Sequence, residues 1–161
     1  MQNIMIRPLV PADHSWLRDF LVKQWGSTQM VYSKGIHHCD QLPGFVALQG
    51  AEPVGLITYL ISEDELEVIS LDSLCEGSGI GSALLTATEE VAQEQGLRRI
   101  WLITTNDNLH ALKFYQKRGY DLVQIYRFAV EAARKIKPQI PLIGNDGIKI
   151  QDEIELEKTL C

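Results

Sequence analysis

Apolar residues change their spacing several times along the chain, and each change marks an element. Residues 4–9 form a short apolar run closed by Pro8 and Pro11, which predicts a strand. Trp16, Leu17, Phe20 and Leu21 then recur at helical spacing until Gly26 offers a stop, which predicts an amphipathic helix. No period holds over residues 27–43, where Tyr32, His37, His38, Cys39 and Asp40 mix with Gly35 and Pro43; a loop with one short helix is expected. Two β-rich runs, 44–50 and 54–62, follow on either side of the turn-forming Gly50-Ala51-Glu52-Pro53, a hairpin signal that implies antiparallel pairing.

The next run, 66–74, is irregular. Its apolar residues fall at Leu66 and Val68 and then at Ile69 and Leu71, shifting from even to odd positions. A period-two strand keeps its parity, so either both faces are buried or an extra residue enters as a bulge. From Gly77 the text GSGIGSALLTATEEVAQEQG carries Ile80, Leu84, Ala87 and Val91 on one helical face, with Gly96 as the stop. Residues 100–105 read as a buried strand, completing a strand–helix–strand unit with the parallel, right-handed crossover such units adopt. A second helix runs from about Asn108 to Gly119, and residues 121–130 read as a further strand. In the tail, Asn145-Asp146-Gly147 marks a turn, and the last ten residues fit helix and strand equally.

With 161 residues, 45% of them apolar and 22% charged, the chain is expected to be one domain, 1–161, with a body over 1–130 and an extension over 131–161. Fifteen basic against 21 acidic residues leave a formal charge of −6, which opposes binding that neutralises many nucleic-acid phosphates. Cys39, Cys75 and Cys161 are sparse, odd in number and without CxxC spacing, so a reducing cytoplasm is the expected compartment. No apolar segment approaches the roughly 18 residues of a spanning helix, and the N-terminus lacks a basic start with a long apolar run; no membrane address is expected.

Small residues between a strand and a helix let backbone N–H groups converge beside the positive end of the helix, which makes an anion site, most often for phosphate. Gly77, Gly79 and Gly81 stand at alternate positions in such a place. A phosphate-binding loop of the nucleoside triphosphatases needs Gly-Lys-Ser/Thr, and here Ser82-Ala83 follows Gly81 with no lysine. The dinucleotide fingerprint fails at its third glycine in either register, ending on Ser82 or Leu84.

The loop resembles motif A of the GNAT N-acetyltransferase superfamily, Q/R-x-x-G-x-G/A, with Gly79-Ile80-Gly81 as its GxG and Glu76 in the place of the Gln or Arg. A second block, residues 108–120, is similar to motif B, N-x-x-A-x-x-F-Y-x-x-x-G-F/Y, and matches it completely from Asn108 through Ala111, Phe114, Tyr115 and Gly119 to Tyr120. The order of elements follows the family over roughly residues 4–130. The resemblance implies an α/β (α+β) fold with a mixed, mostly antiparallel twisted sheet flanked by helices, whose strands 66–74 and 100–105 splay around the pantetheine arm of acetyl-CoA. It implies that a bulge opens the gap, that Ile69 and Leu71 offer backbone groups to the pantetheine, and that Glu76, Gly77, Ser78, Gly79, Ile80, Gly81 and Ser82 wrap the pyrophosphate. Glu76 departs from the pattern: it removes a donor and adds like charge, at a cost on the order of 1 kcal/mol.

Acetyl transfer to an amine requires a base for the nucleophile, stabilisation of the oxyanion and a proton for the thiolate. Glu67, one residue before the parity shift, is the candidate base, directly or through water, with Glu65 its rival; otherwise Glu67 is an exposed carboxylate on a half-solvated strand. By resemblance Tyr115 donates the proton to the coenzyme A thiolate, and the alternative is a core tyrosine beside Phe114. Asn108 caps its helix, and the resemblance adds a hydrogen bond to the cofactor. His37-His38-Cys39-Asp40 lack the spacing of a zinc pair, so no metal is expected. The family builds its acceptor pocket from the segment after the first helix, which makes Trp25, Tyr32, His37 and His38 acceptor-side candidates. The expected activity is acetyl transfer from acetyl-CoA to a primary amine on a small molecule or peptide, with no nucleic-acid or membrane partner and a homodimer left open. The alternative is a non-catalytic acyl-CoA-binding or interaction module with the same fold.

Overall fold

Apolar runs bounded by Pro and Gly become strands, and runs with helical spacing of apolar residues become helices. The computed structural model describes residues 3–32, 35–75 and 77–160. Its elements, in chain order, are β1 (Ile4–Pro8), α1 (His14–Trp25), β2 (Gln29–Tyr32), β3 (Gly35–His38), β4 (Gly44–Gln49), β5 (Glu52–Ser62), β6 (Glu65–Ser73), α2 (Ile80–Glu94), β7 (Arg99–Thr105), α3 (Leu109–Lys117), β8 (Asp121–Tyr126), α4 (Ala129–Ile136) and β9 (Glu153–Thr159). They fall into two compact units, one of Met1–Gln29, His38–Ile100 and Leu160–Cys161, the other of Met30–His37 and Trp101–Thr159. Among the described residues no helix is long and apolar enough to cross a membrane.

In the first unit the strands lie in the order β1-β4-β5-β6, each antiparallel to the next. The expected hairpin is β4–β5. A helix covers each face, for reasons visible at two residues. Gly55 of β5 admits α2: a Cβ there would stand 2.6 Å from Ile80 Cγ2 and 3.1 Å from Leu84 Cδ1. On the opposite face the indole of Trp25, at the end of α1, donates to Asp72 of β6. Leu17 and Leu21 of α1, Leu56 and Ile57 of β5, Leu66 of β6 and Leu84 and Leu85 of α2 are all buried, each worth roughly 1.5–3 kcal/mol of transfer free energy.

The chain entry to α1 is fixed electrostatically. Arg7 at the end of β1 donates both guanidinium nitrogens to Asp13, at 2.8 and 2.9 Å, and Asp13 also accepts from the backbone N–H of Val10 and the indole N–H of Trp16, each at 2.8 Å. Pro11 lies in the 3-10 turn between them.

The second unit holds β7, β9 and β8 in that order, with β8 and β9 antiparallel. Two sequence expectations are corrected, and one left between two alternatives is resolved. The segment 27–43 contains the paired strands β2 and β3 as well as a 3-10 turn at Cys39–Gln41; four-residue strands are too short to show a period. The strand expected over 121–130 ends at Tyr126, because Phe128 adopts a left-handed φ of 61° while its N–H bonds Asp152, and Ala129 and Val130 turn into α4. The last residues, balanced between helix and strand, form β9, whose Glu153, Glu155 and Leu156 are buried. Asn106 ties the tail to the turn after β7: its side-chain oxygen accepts from the N–H groups of Gln151 and Asp152, each at 3.0 Å. Asp107 likewise accepts from the N–H of Asn145, in the expected turn.

The Arg7 guanidinium, ahead of the two N–H donors, holds the Asp13 carboxyl well below the usual carboxylate range. A depressed carboxyl contributes stability above its ordinary pKa near 4 and loses it as pH falls toward its folded value. Asp13→Asn is expected to destabilise the protein by roughly 2 kcal/mol at neutral pH and to flatten the acid limb of its stability profile below pH 4; urea unfolding across pH reads both effects.

Candidate active site

The parity shift in the sequence of β6 is a bulge. Thr58 of β5 faces Ser70, whereas the next residue, Tyr59, faces Val68, so Ile69 is an extra residue on β6. Cross-strand partners share a face. Leu60 faces Glu67, Thr58 faces Ser70 and Leu56 faces Asp72, so Glu67, Ser70 and Asp72 lie on one face although their numbers differ in parity. Leu66, Val68 and Leu71 continue the other face across the bulge. Thr58 and Ser70 confirm the shared side with a hydroxyl–hydroxyl hydrogen bond of 2.6 Å. An apolar sheet face and a polar one therefore coexist in a strand buried on both sides.

Glu67 is 7% exposed, which removes its reading as a solvated carboxylate. Its rival Glu65 is held by the guanidinium groups of Arg98 and Arg99. Ile69 and Leu71 lie at and just beyond the bulge on the same strand.

Beyond β6 the chain turns sharply into α2. Gly77 and Gly79 have φ of 79° and 82°, and Gly79 is the N-cap; a side chain at either position would strain this left-handed backbone. No atom lies within 4 Å of where a Cβ would stand at either glycine. The side chains of Ser73 and Ser78 both donate to the carbonyl of Cys75, which tightens the turn. The helical ladder begins at Ala83 N, bonded to Gly79 O at 3.0 Å, so the amides of Ile80, Gly81 and Ser82 precede it at the positive end of a 15-residue helix. Glu76 lies outside the described residues.

Asn108 and Tyr115 belong to the second unit. Asn108 caps α3 as expected, its side-chain oxygen accepting from Ala111 N at 3.1 Å. Tyr115 is buried in α3 with edge-to-face contacts to Phe114 and Tyr120, at ring separations of 5.1 and 5.4 Å. The ring packs as a core tyrosine does, and the same packing fixes where its hydroxyl points.

Of the acceptor-side candidates, Tyr32 of β2 and His37 of β3 meet with ring centres 5.5 Å apart, and burial lowers the His37 pKa and favours the neutral imidazole. His38, also on β3, is exposed. Cys39 is buried, and Asp40 lies 3.8 Å from His14 and 3.9 Å from Arg18. No cluster of three metal-binding side chains occurs among the described residues.

Sequence reading missed two features. The first is Asp72, whose side-chain oxygen accepts from Trp25 Nε1 at 2.7 Å; burial pushes its carboxyl up to about 6 against that hydrogen bond. The available signal was a carboxylate inside the 66–74 run, between Leu71 and Leu74. The second is a cleft of about 420 Å³ walled by Leu9, Leu17, Leu42 and Pro43, with His14 and Asp40 at its edge. The carbonyl of Pro43 accepts from Tyr59 N at 3.0 Å, and Tyr59 faces Val68. One wall of the cleft thus lies two strand spacings, roughly 10 Å, from the bulge.

A family profile described as Acetyltransferase (GNAT) family matches residues 12–120. The uncharacterized protein YxbD of Bacillus subtilis (strain 168) is 52% identical over 159 residues, covering 98% of this chain and 99% of YxbD. Among solved structures, the IAA acetyltransferase from Bacillus cereus ATCC 14579 is similar with a TM-score of 0.71 at 23% identity, covering 98% of this chain and 100% of that one. A GNAT family acetyltransferase from Elizabethkingia anophelis, with acetyl-CoA bound, has a TM-score of 0.69 at 20% identity over 99% and 100% of the two chains. The likeness to both structures is one of fold: mixed α/β, with a mostly antiparallel sheet flanked by helices.

A carboxyl with a raised pKa costs stability once pH exceeds its ordinary value near 4, and the cost is complete above its folded value near 6. Asn keeps an acceptor for Trp25 without the charge. Asp72→Asn is therefore expected to raise the melting temperature at pH 8 and to leave it nearly unchanged at pH 4; a thermal scan at the two values checks the sign.

Proposed function

Because the chain belongs to the acetyltransferase (GNAT) family, we propose that it transfers the acetyl group of acetyl-CoA to a primary amine by direct attack. The observation that carries this reading is the bulged strand β6 running directly into a left-handed glycine turn at the start of α2. Strand and turn together offer a line of backbone donors, first for an acyl-pantetheine and then for a pyrophosphate. The Elizabethkingia anophelis structure of the same fold carries acetyl-CoA.

On this reading Gly77, Ser78, Gly79, Ile80, Gly81 and Ser82 surround the pyrophosphate. Ile69 and Leu71 bond the pantetheine through their backbones, and a backbone N–H at the bulge polarises the thioester carbonyl. The amine attacks the acetyl carbon; the C–N bond forms and the C–S bond breaks. Glu67, directly or through water, takes the proton that the amine loses, and Tyr115 supplies one to the departing thiolate. Glu67 is buried on the polar face of β6 beside the bulge, where the amine and the thioester meet in this scheme, and it is therefore taken as the base. Asn108 contributes a hydrogen bond to the cofactor in addition to its cap. No metal takes part in this scheme. The acceptor is a small-molecule or peptide amine that approaches on the side of the polar β6 face and the adjoining cleft, and the protein works in the cytoplasm as a single acetyltransferase domain.

Thiol release from acetyl-CoA with a panel of primary amines, paired with calorimetric titration of CoA, tests the reading. Wild type is expected to bind CoA and release thiol, and a folded Gly81→Val variant to lose CoA binding. Tyr115→Phe should lower kcat by roughly a hundredfold where chemistry limits turnover, with CoA affinity unchanged. Coenzyme A binding without thiol release for any amine would select the non-catalytic module instead. Undiminished binding in Gly81→Val would refute the loop.

A further inference from the structure

At the start of α1, His14, Leu17 and Arg18 stand at helical spacing and share one face. The 3-10 turn Cys39–Gln41 packs against this helix, and the N–H of Leu9, bonded to Gly44 O at 2.9 Å, brings the end of β1 alongside. Between them lies the cleft of about 420 Å³ walled by Leu9, Leu17, Leu42 and Pro43, a size within the range of small-ligand sites. Asp40 is the acidic residue of its lining, and its side chain is only 9% exposed. The neighbouring cations, His14 and Arg18, stand 3.8 and 3.9 Å from its carboxylate, beyond hydrogen-bond distance, and are more than half exposed themselves. Among the described residues this carboxylate accepts no hydrogen bond. A buried carboxylate without donors is costly, and a ligand that brings N–H donors and positive charge removes that cost.

We propose that this cleft takes the far end of the acceptor and that the acceptor is an aliphatic diamine, with its stem along the apolar walls, one ammonium paired with Asp40 and the other end acetylated. The inference rests on the acetyl-transfer reading above and names its substrate class. Apolar walls suit a run of methylenes, and an ammonium carries the three N–H donors that Asp40 lacks. The formal charge of −6 favours the approach of a cation. Pro43, on the cleft wall, is joined to Tyr59, which faces the bulged strand, and the two strand spacings between them make roughly 10 Å. An extended chain of about eight bonds of ~1.5 Å covers that span, so a diamine of roughly six to eight carbons reaches both ends. The ammonium on Asp40 keeps its proton. The other end gives its proton to Glu67 and attacks: its nitrogen bonds the acetyl carbon, the C–S bond breaks and the thiolate takes a proton from Tyr115. A monoamine of the same length forfeits the ion pair, and an ω-amino acid sets a second carboxylate against Asp40.

Two measurements on the full chain test this. Thiol release from acetyl-CoA compares heptanediamine, heptylamine and ω-aminoheptanoate, and calorimetric titration of heptanediamine without cofactor reads the cleft independently of transfer. Wild type is expected to use the diamine with a kcat/KM roughly tenfold or more above that of heptylamine, and the amino acid least well. Asp40→Asn should erase most of that advantage through KM and weaken calorimetric binding of the diamine by about the same factor. Arg18→Ala removes a competing cation at an exposed position and should tighten that binding by about threefold; it carries the test if circular dichroism shows Asp40→Asn to be unfolded. Heptylamine or ω-aminoheptanoate used as well as the diamine overturns the proposal. So does diamine binding that is undiminished in folded Asp40→Asn, or that is unchanged or weaker in Arg18→Ala. Thiol release with other amines but no Asp40-dependent diamine binding overturns this inference alone. Asp40-dependent binding with no thiol release for any amine overturns the acetyl-transfer reading, and with it the diamine as acceptor.

Discussion

A single extra residue on β6 sets the chemistry of the first unit. If Ile69 took a normal place in the pleat, strict alternation would set Glu67 on one face and Ser70 and Asp72 on the other, and Leu66 and Val68 opposite Leu71. Because it bulges out of the pairing, the apolar residues keep one continuous face and the polar residues the other. A bulge also interrupts the ladder of hydrogen bonds and twists its strand, which is how a fully paired sheet obtains backbone donors for a ligand. Six residues, 74–79, then lead from the end of the strand into α2, where left-handed Gly77 and Gly79 put the helix N-terminus at the end of the same path. In the proposed function, the thioester and pyrophosphate ends of the cofactor are addressed by this one stretch of chain.

Most of this path was legible in the residues because its cause is local. Parity along 66–71 marks an irregularity that fits a bulge or burial of both faces, alternate glycines signal the turn, and Asn108 signals its cap; each feature depends on neighbours within a few positions. The features that escaped depend on distant ones. The pair Trp25–Asp72 spans 47 positions, and no property of either residue announces the other. The strands β2 and β3 are four residues each and stabilise one another, so neither carries a period of its own. The end of β8 is set by Phe128 and Asp152, 24 positions apart, which converted an apparent long strand into a strand and a helix. Motif B pointed to Tyr115, but its edge-to-face packing between Phe114 and Tyr120 required the fold.

The two notable aspartates of the first unit show stability and function pulling differently. Asp13 is satisfied by four donor atoms and fixes the entry to α1. Asp72 has one indole donor for a carboxyl that burial opposes ionising. A fold selected for stability alone would place an amide or an apolar residue there, and Asp72 lies on the same face as Glu67. In the second unit Asn106 and Asp107 gather the tail against the turn after β7, which gives residues 131–161 a structural role the sequence did not assign.

The central claim is that β6 and the glycine turn form one continuous cofactor track. Backbone amide resonances followed by NMR during a titration with CoA test it residue by residue. The account predicts that the largest shifts fall on Ile69, Leu71 and residues 77–82. Shifts confined to the cleft around Asp40 and Leu42, or no saturable shift at the turn, would contradict it.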